Sequence, residues 1–193
     1  MTTWGSGILS EPANLLGFFG PRGIAVNNQG EVFISDTGNK RIVYFDSDGV
    51  PLGQFGEGGL NPGQLDEPVG LAFDTDGNLY VADTWNQRVQ AFGRDASGVY
   101  AYVSEWDVRG WDGITPTNYP YLTIDRNGYI FVTDPDNGRV IEFNSKGEVL
   151  RYWEDGGTNV GSFNLPVGIA VDPDGGVWVV DSGNGRLLHF TLP

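Results

Sequence analysis

Aspartate, asparagine and arginine recur at one spacing, D-x-x-N-x-R, four times along the chain. The sets are Asp36, Asn39 and Arg41; Asp83, Asn86 and Arg88; Asp134, Asn137 and Arg139; and Asp181, Asn184 and Arg186. A carboxylate beside a guanidinium can hold an anion or serve as an acid–base pair. Recurrence in every copy argues for a different job. Such a set serves the repeat itself: Asp bonds turn amides, Asn holds a left-handed turn position, and Arg pairs with a carboxylate between neighbouring units. The D-x-D-G pieces at Asp46–Gly49, Asp74–Gly77 and Asp172–Gly175 invite a calcium reading. A calcium loop of the EF-hand kind needs Glu at its twelfth position. That position is Trp85 counted from Asp74 and Gly183 counted from Asp172. Hairpin-turn chemistry accounts for these pieces without metal. No cofactor is expected, and there is room only for weak surface calcium. His189 is the single histidine and there is no cysteine, which excludes a multi-histidine zinc site and a Cys–His relay.

Residues that differ between the copies are better candidates for function, because shared positions hold the scaffold. Trp85 stands where the other D-x-x-N turns carry Gly38, Asp136 and Gly183. The longest connection, residues 93–118, holds Tyr100, Tyr102, Trp106, Arg109, Trp111 and Asp112. Tyr119 and Tyr121 replace the proline and glycine that open the other copies, which puts Tyr121 near the expected channel mouth beside Arg22 of the first copy. Exposed Trp, Tyr and Arg are the composition of binding hot spots, and aromatics flanked by carboxylates stack sugars. Arg22, Trp85, Arg109, Trp111, Tyr119 and Tyr121 are therefore the expected ligand- or partner-binding residues. The partner class is a protein or small ligand, glycans included, and no catalytic or metal-binding residue is expected.

The elements that carry these residues are repeats. Segments of 25 residues starting at 21, 68, 119 and 166 align without internal gaps, and each closes on phenylalanine at 45, 92, 143 or 190. Thirteen residues before the later three starts stand Phe55, Trp106 and Trp153, and Trp4 fits the same pattern ahead of the first with four extra residues before Pro21. Each unit reads as short β-branched and aromatic strands punctuated by Gly, Asp and Asn, with no helical period. Apolar residues fill consecutive strand positions, so both faces of each small sheet are buried. Four-stranded sheets repeated radially at this length make a β-propeller. The expectation is an all-β fold and one domain over 1–193: four four-stranded blades, with 1–20 a displaced outer strand plus linker. Pairing of the strand around Thr2–Gly5 with Leu187–Phe190 would complete the last blade. The outcome is a four-bladed ring or part of a larger one, and unpaired blade edges are a route to self-association.

Composition sets the outer limits. The 193 residues carry 30 Gly, 11 Pro and a formal net charge of −14, and aromatics make up 13%. That is too apolar and aromatic for a disordered acidic tail. No apolar run reaches the ~18–20 residues of a membrane span, so no direct membrane insertion is expected. Residues Met1 to Ser10 lack the basic-then-apolar pattern of a signal peptide. The charge disfavours a polyanion, so nucleic acid is not an expected partner. Asp outnumbers Glu 17 to 8, which ties the charge to turns, where Asp is favoured.

The pattern from Pro68 through Gly70, Asp74, Gly77, Asp83, Asn86 and Arg88, repeated in each unit, resembles the NHL repeat. The third copy departs from it at Tyr119-Pro120-Tyr121. The resemblance implies an NHL β-propeller serving as a non-enzymatic scaffold for protein or ligand interaction. Similar arcs at the ends of large bacterial membrane proteins imply an extracytoplasmic setting. It also implies a second reading, a propeller enzyme of the lyase or lactonase type with a metal at the channel mouth. Related lyases use several histidines around zinc, which this chain does not supply. Lactonase-type propellers hold a central calcium through Glu, Asn and Asp. Here Asn27 ends one inner strand, and no Glu sits in the matching strand of any unit.

Overall fold

A computed structural model describes residues 3–5, 14–111, 119–153 and 163–191. Asp112 and most of the N-terminal segment lie outside the described residues. The first sheet orders β1 (Ile24–Val26), β2 (Val32–Asp36), β3 (Arg41–Phe45) and β4 (Pro51–Phe55). The second orders β5 (Pro68–Phe73), β6 (Leu79–Asp83), β7 (Arg88–Arg94) and β8 (Tyr100–Asp107). The third holds β9 (Leu122–Ile124), β10 (Ile130–Asp134), β11 (Arg139–Phe143) and β12 (Val149–Trp153). The fourth holds β13 (Pro166–Val171), β14 (Val177–Asp181) and β15 (Arg186–Phe190). All pairings are antiparallel up-and-down meanders. The innermost strands β1, β5, β9 and β13 adjoin in that order, which gives a four-bladed β-propeller.

The hairpins form for local reasons. Asp46 Oδ1 accepts the amide protons of Asp48 and Val50, and Asp74 Oδ1 those of Asp76 and Asn78. Asp172 Oδ1 does the same for Asp174 and Gly176. The D-x-D-G carboxylates are thus engaged in Asx-type turns. Packing between sheets supplies the rest. Phe33 and Ile42 of blade one meet Leu71, Leu79, Val81 and Phe92 of blade two. Tyr80 and Val89 of blade two meet Leu122, Ile130 and Val132 of blade three. Phe131 and Val140 of blade three meet Val177 and Val179 of blade four. Burial of such side chains contributes ~1.5–3 kcal/mol each, so the blade junctions are the core.

The fourth blade differs from expectation. Its sheet has three strands, and no strand pairs the outer edge of β15 among the described residues. Trp4 packs instead on blade one, its ring 5.9 Å from that of Phe45. Trp106 sits in the same way on Phe143 at 5.8 Å, and Trp153 on Phe190 at 5.0 Å. The outer-strand aromatic of any blade is held by the blade that follows, so the pull on Trp4 is towards blade one. Among the described residues its backbone does not pair with β15.

Candidate binding face

Antiparallel meanders sort the connections to two ends of the propeller. One end collects the Asp- and Asn-based hairpin turns. The other collects the D-x-x-N turns together with the segments that lead into β1, β5, β9 and β13. At this second end the Asp–Asn–Arg sets form closed networks. Asp83 Oδ1 accepts the Asp66 amide at 2.6 Å, and its Oδ2 accepts from Asn86, Arg88 Nε and Gln90 at 2.8–2.9 Å. The Arg88 Nη groups donate to the carbonyls of Leu60, Asn61 and Gln64 and to Glu105. Asp36 and Asp181 likewise accept the amides of Phe19 and Asn164, each 17 residues upstream. Each set ties its own hairpin to the incoming segment. Its Arg pairs within the blade, since Asp83 and Arg88 are cross-strand partners, rather than with a carboxylate of the next blade as expected. Asn86 is the last residue of a 3-10 turn, and the left-handed position falls to Gln87 at φ 53°.

Burial raises the Asp83 carboxyl against the opposing bonds from Asp66, Asn86 and Arg88. Asp134 is raised for the same reason. At Asp181 burial again pushes up, but the bonds from the Asn164 amide, Asn184 and Arg186 outweigh it and the carboxyl lies below its ordinary value.

Three of the six expected binding residues meet near the axis at this end. The Arg22 guanidinium lies 3.7 Å above the Tyr119 ring, a cation–π contact. The Tyr121 hydroxyl is 3.5 Å from the Arg22 carbonyl. Blades one and three therefore touch across the mouth. The inner strands come close because glycine permits it. A Cβ at Gly23 would run into the Val69 carbonyl, and one at Gly70 into the backbone of Tyr121. Tyr121 is the one copy that places a side chain here, and it spends it on the crossing to blade one.

Trp85 is 53% exposed on its turn. Arg109 is exposed in a cleft lined by Asn86, Gln87 and Asp107, next to that turn. Trp111 corrects the expectation. It is 0% exposed and packs with Val108, Tyr80 and Leu122 in the junction of blades two and three, so it is a core residue and presents nothing to a ligand. It fills the space that Leu65 and Phe163 fill at the other junctions.

Glu67 was not marked by any motif. It stands just before Pro68 at φ 51°, an uncommon conformation for a non-glycine residue. Burial raises its carboxyl, and the charge of Arg22 opposes that. Position 67 varies between copies (Gly20, Glu67, Asn118 and Leu165), and that asymmetry was the available signal. At the opposite end, His189 is exposed and stacks on Trp178, with ring centroids 4.2 Å apart, beside Asp172 at 3.2 Å.

The NHL repeat model matches residues 18–45, 65–92 and 163–190. It misses the third copy, where Tyr119-Pro120-Tyr121 stands, although that copy forms the same four strands. The protein brain tumor of Drosophila melanogaster is 32% identical over 134 residues, 69% of this chain and 12% of that protein. A gluconolactonase from Xanthomonas campestris superposes with a TM-score of 0.63 at 20% identity, over 90% of this chain and 57% of its own. Virginiamycin B lyase from Staphylococcus aureus gives 0.55 at 19% identity, over 90% of this chain and 70% of its own. The chain thus spans a small part of brain tumor and little more than half of the lactonase.

Proposed function

Because the chain belongs to the NHL-repeat family of β-propellers, we infer that it works as a non-enzymatic interaction module. Its binding face is the end that carries Arg22, Tyr119, Tyr121, Trp85 and Arg109. The observation that carries this reading is the coincidence of broken symmetry with exposure. Trp85 projects from one turn of four, and Arg22 joins Tyr119 and Tyr121 across the mouth in a way the other copies cannot repeat. A rigid aromatic anchor beside an arginine suits a peptide segment of a protein partner. The test is peptide display on the wild-type chain, followed by titration of a recovered peptide. Trp85→Ala and Tyr121→Gly should each weaken that peptide at least ~10-fold, about 1.4 kcal/mol, with the fold retained by circular dichroism. Equal binding by wild type and both variants would remove this face from the reading.

Glu67 favours a second reading, a lyase- or lactonase-type enzyme. A carboxyl raised by burial beside an arginine at a channel mouth is a general acid–base candidate. The likeness to the lactonase and lyase supports only the fold. Among the described residues no three Asp, Glu or His side chains gather as metal ligands. Lactone hydrolysis by the wild type that disappears in Glu67→Gln would favour this reading over the first.

A further inference from the structure

Every interior junction of this propeller joins two half-surfaces of fixed makeup. One half comes from the second and third strands of a blade: Phe33 and Ile42, Tyr80 and Val89, or Phe131 and Val140. The other half comes from the first and second strands of the next blade: Leu71 and Val81, Leu122 and Val132, or Ile169 and Val179. Both kinds of half-surface are also present unpaired. Blade four presents Trp178, Val180 and Leu187, at 37%, 43% and 57% exposure. The counterpart of Leu187 in the interior junctions is Ile42, Val89 or Val140, each fully buried. Blade one presents Ile24 and Val26, at 68% and 58% exposure. β13 and β1 do not adjoin as the other inner strands do, so one chain does not bring its two ends together.

We propose that these end faces dock head to tail in a second copy of the chain, blade four of one on blade one of the next. The occupant is a second copy because the missing half of each junction is carried, unpaired and in the right strands, by this same chain. The contact continues the blade-to-blade interface already built three times within it. The outer edge of β15 supplies a further observation. β4, β8 and β12 cover the matching edge in the other blades, and each carries the aromatic that seats on the next blade. Trp4 is already seated in that manner on Phe45. When blade four of another copy docks on blade one, the segment around Trp4 lies beside the open edge of that copy's β15. It is then placed to add to it as a fourth strand. Two copies are the smallest number that satisfies both ends by rotation, and pairing also removes an exposed sheet edge. This surface is separate from the Arg22–Tyr119 mouth, and its failure would leave the peptide-binding reading untouched.

The experiment is light scattering on the wild-type chain and on Leu187→Arg and Ile24→Arg, whose side chains are exposed and make no intrachain junction. Circular dichroism confirms that the variants fold. Wild type is expected at twice 20.9 kDa or a higher multiple, and each variant alone at 20.9 kDa. Mixing the two variants leaves one intact pair of half-surfaces, so the mixture should run at twice 20.9 kDa. A wild-type chain that stays at 20.9 kDa at all concentrations overturns the proposal. So does an oligomer that either substitution leaves intact, or a mixture that fails to reassociate.

Discussion

Removal of the Arg88 guanidinium tests whether the Asp–Asn–Arg sets hold the fold or serve a ligand. The Arg88 side chain is 7% exposed and its Asp83 partner 0%. Arg88→Ala deletes the 2.8 Å bond to Asp83, the 3.0 Å bond to Glu105 and the donations to the carbonyls of Leu60, Asn61 and Gln64. Asp83 keeps the Asp66 amide, Asn86 and Gln90, but it is left buried without its paired positive charge. The carbonyls lose their main donor, although Gln90 still reaches Gln64. Breaking a buried pair on one side costs about 3–5 kcal/mol. For a chain of this length each kcal/mol lowers Tm by roughly 2–4 °C, so the fall should be roughly 6–20 °C. Arg186 makes the same Nε bond to Asp181 at 2.7 Å but is 31% exposed. Arg186→Ala should therefore cost less, about 1–2 kcal/mol. Urea unfolding followed by tryptophan fluorescence measures both, and Arg88→Lys controls for charge. An Arg88→Ala chain with unchanged midpoint that has lost peptide binding would show that the set belongs to a site and not to the scaffold.

Three further outcomes follow from the same geometry. Trp111→Ala should cost about 3–5 kcal/mol by opening a cavity between blades two and three, while Trp85→Ala stays within about 0.5 kcal/mol; thermal melts of the two variants compare them directly. The two shifted carboxylates should respond to pH with opposite sign. The contribution of Asp83, raised by burial, is complete below the ordinary Asp value and lost as pH rises through its native value. The contribution of Asp181, lowered, is present above that value and lost as pH falls. Acidification from about pH 6 to below about pH 4 should enlarge the penalty of Asp83→Asn and shrink that of Asp181→Asn; denaturant unfolding at both pH values would contradict this if the trends ran together. Asp46→Asn should leave stability unchanged within about 0.5 kcal/mol, because Asn144 makes the same two amide bonds in the equivalent turn of blade three. Asp46→Ala, which loses both, should cost about 1 kcal/mol in the same unfolding assay.

The blades were legible because their instructions are local. A strand of alternating β-branched and aromatic residues, a two-bond Asx turn and a glycine at positive φ lie within a few residues of one another, and each repeats four times. The pairing of Asp83 with Arg88 within one blade lies in the spacing too, although the expectation was an arginine reaching a carboxylate between blades. Residues five apart across a tight turn face each other as cross-strand partners. Trp111 and Trp85 were not separable. Both lie in connections between strands, and burial of Trp111 depends on the surface of β9–β11, which no local pattern near residue 111 encodes. Glu67 was hidden for a similar reason. Its environment comes from Arg22 and Lys40, in another blade. Long-range placement of a single side chain is what a repeat conceals, since the repeat draws attention to what its copies share.

The net charge of −14 takes on a different meaning once its carriers are placed. Asp46, Asp74, Asp95, Asp125 and Asp172 each accept amide protons in hairpin turns at one end. Asp36, Asp83, Asp134 and Asp181 are paired to arginine at the other. More than half of the aspartates are thus committed to backbone or to a guanidinium. The four paired ones contribute no net field near their own blade, because each is cancelled within hydrogen-bond distance. Acidic side chains stand at both ends: Glu57, Glu67 and Asp107 share the D-x-x-N end with Arg22, Arg109, Lys40 and Trp85. A partner drawn to the D-x-x-N end therefore meets a locally mixed surface in which Arg22 and Arg109 are exposed. Its affinity should depend on aromatic contact far more than on ionic strength. The charge that dominates the composition is in this sense a record of turn construction, and the face proposed to bind is set apart by its exposed aromatic and arginine side chains rather than by a lack of carboxylates.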